Sequence, residues 1–182
     1  MSRAIGMTEF KSIPAGITAA DTMVKTAEVD IVESQMVCPG KYITIITGSL
    51  SAVRAAVDAA SAQFPQELIG SFVLGNPHES LLPAMYGASE IGEVQALGIL
   101  ETYDVASLIE AADIAAKTAI VQVIELRLAK GLCGKSLLLL TGEVAAVSAS
   151  IEKAKALSGE KGMFLDASVI PSPDKKIIAT IL

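Results

Sequence analysis

The sequence predicts an α/β fold built from one unit that the chain uses twice. Two observations predict it: an internal repeat, and the same order of strands and helices inside each copy. Residues 4–33 align without gaps on residues 96–125, an offset of 92, and twelve of the thirty positions are identical. Residues 40–56 then align on 134–150 with an offset of 94. Each copy is therefore expected to be a complete fold.

The period of the apolar residues predicts six elements in each copy. In the first copy these are strand 4–10, helix 15–27, strands 29–37 and 41–47, helix 49–63 and strand 67–75. In the second they are strand 96–103, helix 106–119, strands 121–129 and 135–141, helix 143–157 and strand 162–170. Ser49 is the predicted N-cap of its helix, and Glu143 suits the positive end of the equivalent one. This order is that of a split βαβ, ferredoxin-like sandwich with helices on one sheet face.

Composition and charge exclude several classes of function. The net charge of −6 leaves no basic stripe for a nucleic-acid backbone. The chain is 52% hydrophobic, yet it contains no uncharged apolar run of about 18 residues, so no membrane partner is predicted. A large apolar fraction without such a run indicates burial between subunits, although an alanine-rich core explains it equally well. The N-terminus shows no signal-peptide pattern, so we expect a cytoplasmic protein.

The turn Cys38-Pro39-Gly40 is the most unusual short segment, because it places one of only two cysteines where the chain reverses. A buried cysteine normally behaves as a small hydrophobe within a strand or helix. Proline fixes φ and glycine tolerates positive φ, so this turn can hold a thiol in one place. Two cysteines do not make a disulfide framework. An inert thiol and a metal-binding thiol are both open at this point.

No catalytic constellation is predicted, and the sequence therefore does not indicate an enzyme. His78 is the single histidine, so one chain cannot assemble a Ser-His-Asp triad. Residues 131–136 end in Gly-Lys-Ser but lack the glycine spacing of a phosphate-binding loop.

Four motifs resemble those of the bacterial microcompartment (BMC) shell proteins. They are the opening strand A-[IL]-G-x-x-E, the first-helix motif A-A-D-x-x-x-K, the motif G-K-x-x-x-x-x-T-G before the second helix, and a closing V-I-P-x-P. The last is intact at residues 169–173 and altered to VLGNPH at 73–78. The resemblance implies two tandem BMC domains, residues 1–91 and 92–182. Because members tile as flat hexagons, it implies that a duplicated chain forms a homotrimer, packed beside other shell proteins.

Within this family the chain resembles the tandem-domain type of propanediol-utilising microcompartments, which binds an iron–sulfur cluster at its threefold axis. The resemblance makes Cys38 a ligand of a [4Fe-4S] cluster, one per chain and three per trimer, with one iron left for a non-protein ligand. It implies electron transfer or cluster delivery across the shell, with an encapsulated redox enzyme as a further partner. The alternative is a cluster-free pore for small metabolites.

The resemblance also assigns two further sets of residues. The pore-loop set is Val37, Pro39, Gly40, Gly131, Leu132, Cys133 and Gly134. The tile-edge set is Lys25, Lys117, Asn76 and His78. Cys133 is either an additional thiol at the axis or an inert small residue.

For the lysines, the residues themselves leave alternatives. Lys25 and Lys117 each follow an aspartate by four positions, which is the spacing of an intrahelical ion pair. Lys41 and Lys135 follow the two loops, and they either make the central region electropositive or are simply solvated.

Overall fold

The structure, a computed structural model, describes residues 4–181 and contains every predicted element at nearly the predicted bounds. The elements are β1 (Ala4–Phe10), α1 (Ile13–Thr26), β2 (Val29–Val37), β3 (Lys41–Gly48), α2 (Leu50–Gln63), β4 (Leu68–Leu74), α3 (Leu81–Met85), β5 (Ala96–Thr102), α4 (Val105–Thr118), β6 (Val121–Leu128), β7 (Ser136–Gly142), α5 (Val144–Glu160), β8 (Phe164–Pro171) and α6 (Lys175–Ile181). The short helices α3 and α6 were not predicted. None of the helices in the described range is long and apolar enough to cross a membrane.

Each repeat forms one four-stranded antiparallel sheet, and this confirms the predicted split βαβ arrangement. The strand orders are β2-β3-β1-β4 and β6-β7-β5-β8. The register repeats as well, because Glu9 lies opposite Ile43 on β3 and Glu101 lies opposite Leu137 on β7. Equivalent residues of the two repeats therefore occupy equivalent places in the two sheets.

The two long helices that follow a central strand begin differently. Ser49 caps α2 as predicted, since its side chain accepts a hydrogen bond from the Ala52 N–H at 3.3 Å. Glu143 occupies the N-cap position of α5, but its side chain makes no capping hydrogen bond. Its contribution there is limited to placing a negative charge at the positive end of the helix.

Contacts within the chain divide the protein into two compact units that do not coincide with the two repeats. The first unit contains the chain up to Pro77 together with Asp104–Ala106 and Ala129–Gly134, and the second contains the rest. The first turn of α4 and the loop that carries Cys133 thus belong to the first unit. The predicted domain boundary after residue 91 stays a prediction.

The core of the first unit lies between its sheet and the helices α1 and α2. Phe10, Met23, Ile46 and Val53 belong to one buried apolar cluster. In the second unit, the terminal helix α6 covers the other side of the sheet. A Cβ at Gly98 would meet Val147 of α5, so the neighbouring Leu97 points away from α5. Ile178 and Ile181 of α6 pack on the cluster that contains Leu97.

The two repeats fill one core position in opposite ways. Gly16 of α1 leaves room for Tyr42 of β3, because a Cβ at residue 16 would lie 2.4 Å from the Cβ of Tyr42. The equivalent residues of the second repeat are Leu108 and Ser136, and both are fully buried. In the first repeat the strand has the large residue, Tyr42, and the helix has glycine. In the second repeat the helix has the large residue, Leu108, and the strand has serine. Total volume is conserved, as close packing requires.

This pairing predicts the effect of Gly16→Ala. The added methyl group has no space, so we expect the free energy of unfolding to fall by about 1–3 kcal/mol in urea titrations. The double variant Gly16→Leu/Tyr42→Ser copies the second repeat and should lose less than the sum of its single changes. Gly159→Ala in α5 is the control, because a Cβ there meets nothing within 4 Å. Equal losses for Gly16→Ala and Gly159→Ala would contradict the packing argument.

Candidate functional site

The Cys38 turn is a short, tightly held connection between β2 and β3. β2 ends at the buried Val37, and the Gly40 N–H donates to the Val37 carbonyl at 3.0 Å. Gly40 has φ of +100°, a value that L side chains rarely adopt. Cys38 is half-buried and forms no disulfide, and Pro39 and Gly40 are exposed. The thiol therefore lies at the edge of the surface on a backbone with little freedom.

The equivalent loop of the second repeat, Ala129–Gly134, contains more residues with a left-handed backbone conformation. Four of its residues have left-handed backbone angles, listed here with φ: Ala129 (57°), Gly131 (71°), Cys133 (52°) and Gly134 (87°). Cys133 and Gly131 are exposed, Leu132 is half-buried and Gly134 is buried. Left-handed conformations are uncommon for residues other than glycine, so Cys133 occupies a constrained and exposed position.

The first unit holds these two loops in contact. A Cβ at Gly134 would lie 2.9 Å from Pro39 Cδ and 3.1 Å from the Cys38 carbonyl oxygen. Lys130 at the start of the second loop pairs with Glu33 of β2, with Nζ 3.2 Å from Oε1. The residues predicted as a pore loop are thus gathered at one place in the fold, and that place includes both cysteine-bearing turns.

A buried ion pair lies directly behind the Cys38 turn. Lys41, the first residue after the turn, donates to Oε1 of Glu9 at 2.9 Å, and the Glu9 side chain is fully buried. The second oxygen, Oε2, accepts a hydrogen bond from the Val105 N–H at 2.9 Å, also inside the first unit. Glu9 therefore joins β1, the residue that follows the turn, and the first turn of α4.

The second repeat contains the same pair in a more open setting. Lys135 lies 2.6 Å from Glu101, and both side chains are partly exposed. Lys41 and Lys135 thus each pair with a glutamate; Lys41 is largely buried, whereas Lys135 is also partly solvated. The sequence did not single out Glu9 as a site residue. The repeat nevertheless indicated it, because Glu9 and Lys41 of the first repeat are matched by Glu101 and Lys135 of the second.

The surroundings of Glu9 raise its pKa above the ordinary value of 4.5. Burial is the largest cause of the rise, since it disfavours the charged carboxylate. The hydrogen bond and the charge of Lys41, together with the hydrogen bond from the Val105 N–H, lower the pKa again. The negative charge of Asp104 raises it further. The folded state thus holds this proton more tightly than the unfolded chain does. The stability that Glu9 contributes is fully present below the unfolded pKa and is lost as pH rises through the folded pKa.

We therefore expect Glu9→Gln, which cannot titrate, to change the pH dependence of stability. We compare the free energy of unfolding of the wild type with that of the variant at each pH. The wild type should lose stability relative to the variant as pH rises above about 4.5. Denaturant titrations at several pH values from about 4 to about 7 measure it. A difference that is constant, or that grows in favour of the wild type with rising pH, would contradict the raised pKa.

Both predicted edge lysines form the intrahelical pairs that their spacing indicates. Lys25 Nζ lies 2.6 Å from Asp21, and Lys117 Nζ lies 2.6 Å from Asp113. Lys25 is largely exposed on α1. These pairs do not exclude an edge role, which stays a prediction.

The remaining edge residues lie at the end of the first repeat and just after it. Asn76 is exposed. The His78 N–H donates to Asp113 Oδ1 at 2.8 Å, and the His78 ring Nδ1 is 2.8 Å from Ser80 Oγ. His78 thus takes part in the turn hydrogen bonding, and its edge role also stays a prediction.

A single chain supplies only some of the thiolate ligands that an iron–sulfur cluster needs. In residues 4–181 no group of three or more His, Cys, Asp or Glu side chains is placed to hold a metal. Cys38 offers one soft, half-buried thiol on a rigid turn, which is the donor type that iron–sulfur clusters take. The remaining thiolates would have to come from other copies of the chain.

Solved structures identify the class to which this tandem fold belongs. A microcompartments protein from Desulfitobacterium hafniense DCB superimposes with a TM-score of 0.88, covers 98% of this chain and 99% of its own, and is 43% identical. The fused permuted hexameric shell protein MSM0275 from the RMM microcompartment shares the fold, with a TM-score of 0.65 at 19% identity. The fold is thus that of a microcompartment shell protein.

The sequence comparisons place the chain in a family. The sequence model of the BMC domain matches residues 4–77 and 96–173, and the chain belongs to the BMC domain family. The bacterial microcompartment shell protein PduT of Citrobacter freundii is 38% identical over 177 residues, which is 97% of this chain and 96% of PduT. The carboxysome shell protein CcmK2 of Synechocystis sp. is 37% identical over 93 residues, 47% of this chain. The chain is a structural microcompartment shell protein homologous to PduT, and both of these homologues are shell proteins.

Proposed function

We propose that three copies of this chain form one tile of the microcompartment shell and hold a [4Fe-4S] cluster between three Cys38 thiolates. The observation that carries the proposal is the half-buried Cys38 thiol, fixed in a turn between a buried strand end and a buried ion pair. The cluster would supply one-electron chemistry across the shell, or would itself be delivered to an encapsulated redox enzyme.

The trimer is supported by an apolar helix face that one chain leaves uncovered. Ile17 of α1 is 52% exposed, whereas Ile109, its equivalent in α4, is fully buried. Val24 of α1 is also exposed, whereas the equivalent Ala116 is buried. Two helices with nearly the same apolar pattern thus differ in how much of it they bury. A ring of copies would cover the face of α1 and remove this difference.

Ligand number also favours a threefold assembly. A [4Fe-4S] cluster ordinarily takes four thiolates, and one Cys38 per chain becomes three around a threefold axis. The fourth iron would then carry a non-protein ligand. Cys133 lies on the neighbouring loop and is exposed, so it is the one other thiol that this chain could contribute.

A cluster-free metabolite pore is the second candidate function. The observation that favours it is the composition of the Ala129–Gly134 loop, where the exposed Gly131 and the buried Gly134 add no side-chain bulk. Loops of this kind around an axis would leave an opening for small molecules.

The resemblance to PduT supports two further parts of the proposal. The compartment would be one that degrades propanediol, and the tile would meet other shell proteins along edges that contain Lys25, Lys117, Asn76 and His78. The exposure of Lys25 on α1 and of Asn76 supports this edge.

The cluster is tested by anaerobic reconstitution of the wild type and of Cys38→Ser. We expect the wild type to bind about four iron atoms per trimer, with broad visible absorption and an EPR signal on reduction. Cys38→Ser should lose all three signals, because a hydroxyl is a poor ligand for iron–sulfur clusters. Cys133→Ser is the matched control and should retain them. A wild type without iron would favour the metabolite pore, and loss of iron in Cys133→Ser would require a different ligand set.

The assembly is tested by Ile17→Glu. A carboxylate on the α1 face would have to be buried on association, so we expect sedimentation to show a loss of trimers at micromolar concentration. Ile120→Glu is the matched control, since Ile120 is 95% exposed and the first repeat already has Glu28 at the equivalent position. If Ile17→Glu forms trimers as well as the control does, the α1 face is not the interface.

A further inference from the structure

The two equivalent ion pairs differ in burial, although their residues and strand positions are the same. The Glu9 and Lys41 side chains are 0% and 16% exposed, whereas those of Glu101 and Lys135 are 24% and 39% exposed. Each glutamate lies on the first strand of its repeat, and each lysine is the first residue after a cysteine-bearing loop. The difference therefore comes from what covers the pair.

The group that covers Glu9 is the start of a helix. Val105, the first residue of α4, is fully buried and donates its N–H to Glu9 Oε2. The first N–H groups of a helix have no partner inside the helix, and the positive end of the helix dipole favours a carboxylate there. Glu9 thus caps a helix that begins 96 residues later in the chain.

The repeat identifies the helix that would cover Glu101. Val105 aligns with Ile13, the first residue of α1, at the offset of 92. α1 has no acidic residue in its first turn, and its Ser12 cap reaches the Ala15 N–H only at 3.5 Å. The start of α1 therefore lacks the carboxylate that the start of α4 has.

The exposed face of α1 supports the same pairing independently. Ile17, one turn after Ile13, is half exposed, whereas Ile109, one turn after Val105, is buried. α1 therefore presents both a first turn without a carboxylate and an uncovered apolar face. Glu101 in its turn is partly exposed beside Lys135. A second copy of the chain offers, in Glu101, the carboxylate that the first turn of α1 lacks.

We propose that Glu101 of one copy accepts a hydrogen bond from the Ile13 N–H of a second copy, as Glu9 accepts one from Val105 within the first unit. The proposal rests on the trimeric assembly above and specifies its contact. It has a consequence for the central loops. Lys135 follows Gly134 directly, so docking of α1 onto Glu101 would fix the Cys133 loop just as Val105 and Glu9 fix the residue after the Cys38 turn.

Cross-linking between introduced cysteines tests this contact in the full-length chain, with Cys38→Ser and Cys133→Ser as background. The test pair is Ile13→Cys with Glu101→Cys, and the control is Glu33→Cys with Lys130→Cys, a pair within the first unit whose side chains are 14% and 59% exposed. A short bis-maleimide should link the test pair between chains, so that denaturing gels show covalent dimers and trimers. The control pair should link within one chain and give only monomers, with the linked peptides identified by mass spectrometry.

The outcomes separate this inference from the proposed trimer. Trimers seen by native mass spectrometry without an intermolecular link in the test pair, or with a link inside one chain, would overturn the Glu101 contact and leave the trimer intact. A chain that stays monomeric while the control pair links would overturn both.

A second measurement covers the case in which a cysteine pair does not fold. In the otherwise unchanged chain, Glu101→Ala should raise the dissociation constant of the trimer by about tenfold or more, since it removes the charged acceptor from each of these hydrogen bonds. Glu101→Gln retains an acceptor oxygen and should raise it less. Equal dissociation constants for the wild type and Glu101→Ala would contradict the contact.

Discussion

The buried pair of Glu9 and Lys41 is the interaction on which the candidate site depends most. A fully buried carboxylate is costly, and here a lysine and a backbone N–H at 2.9 Å each offset that cost. Lys41 follows the Cys38 turn immediately, so its ammonium group fixes one end of the turn against β1. The buried Val37 fixes the other end. The position of the thiol is therefore set by the interior of the sheet rather than by the turn alone.

Duplication gives the chain two versions of this arrangement, and the two have diverged where their surroundings differ. The exchange of Gly16 and Tyr42 for Leu108 and Ser136 shows that the repeats share a core volume but not the residues that fill it. The loops have diverged further: one holds its cysteine half-buried beside a proline, and the other exposes its cysteine among glycines. The two cysteine-bearing loops are thus equivalent in the repeat but differ in their surroundings.

Much of the fold could be predicted because the repeat allowed each element to be identified twice. The strands, the four long helices and the Ser49 cap all follow from local periodicity and capping. The helices α3 and α6 were missed because five and seven residues are too few to show a helical period. Their stability comes from packing, as with Ile178 and Ile181 on the second sheet.

The candidate site was less predictable, because its contacts join distant parts of the chain. The family resemblance selected Cys38, and the glycine-rich loop that touches it was assigned to the same region. Glu9 gave no local signal, since a glutamate in a strand usually faces solvent. Its identity with Glu101 in the repeat was the available sign that both carboxylates have a structural role.

The central claim is that the metal site exists only when three chains meet. Native mass spectrometry of the anaerobically reconstituted protein tests it most directly, since it reports chain number and bound mass together. The account predicts one species with the mass of three chains plus a single [4Fe-4S] cluster, and iron-free single chains after dissociation. A cluster that stays bound to single chains, or trimers that never carry iron, would contradict it.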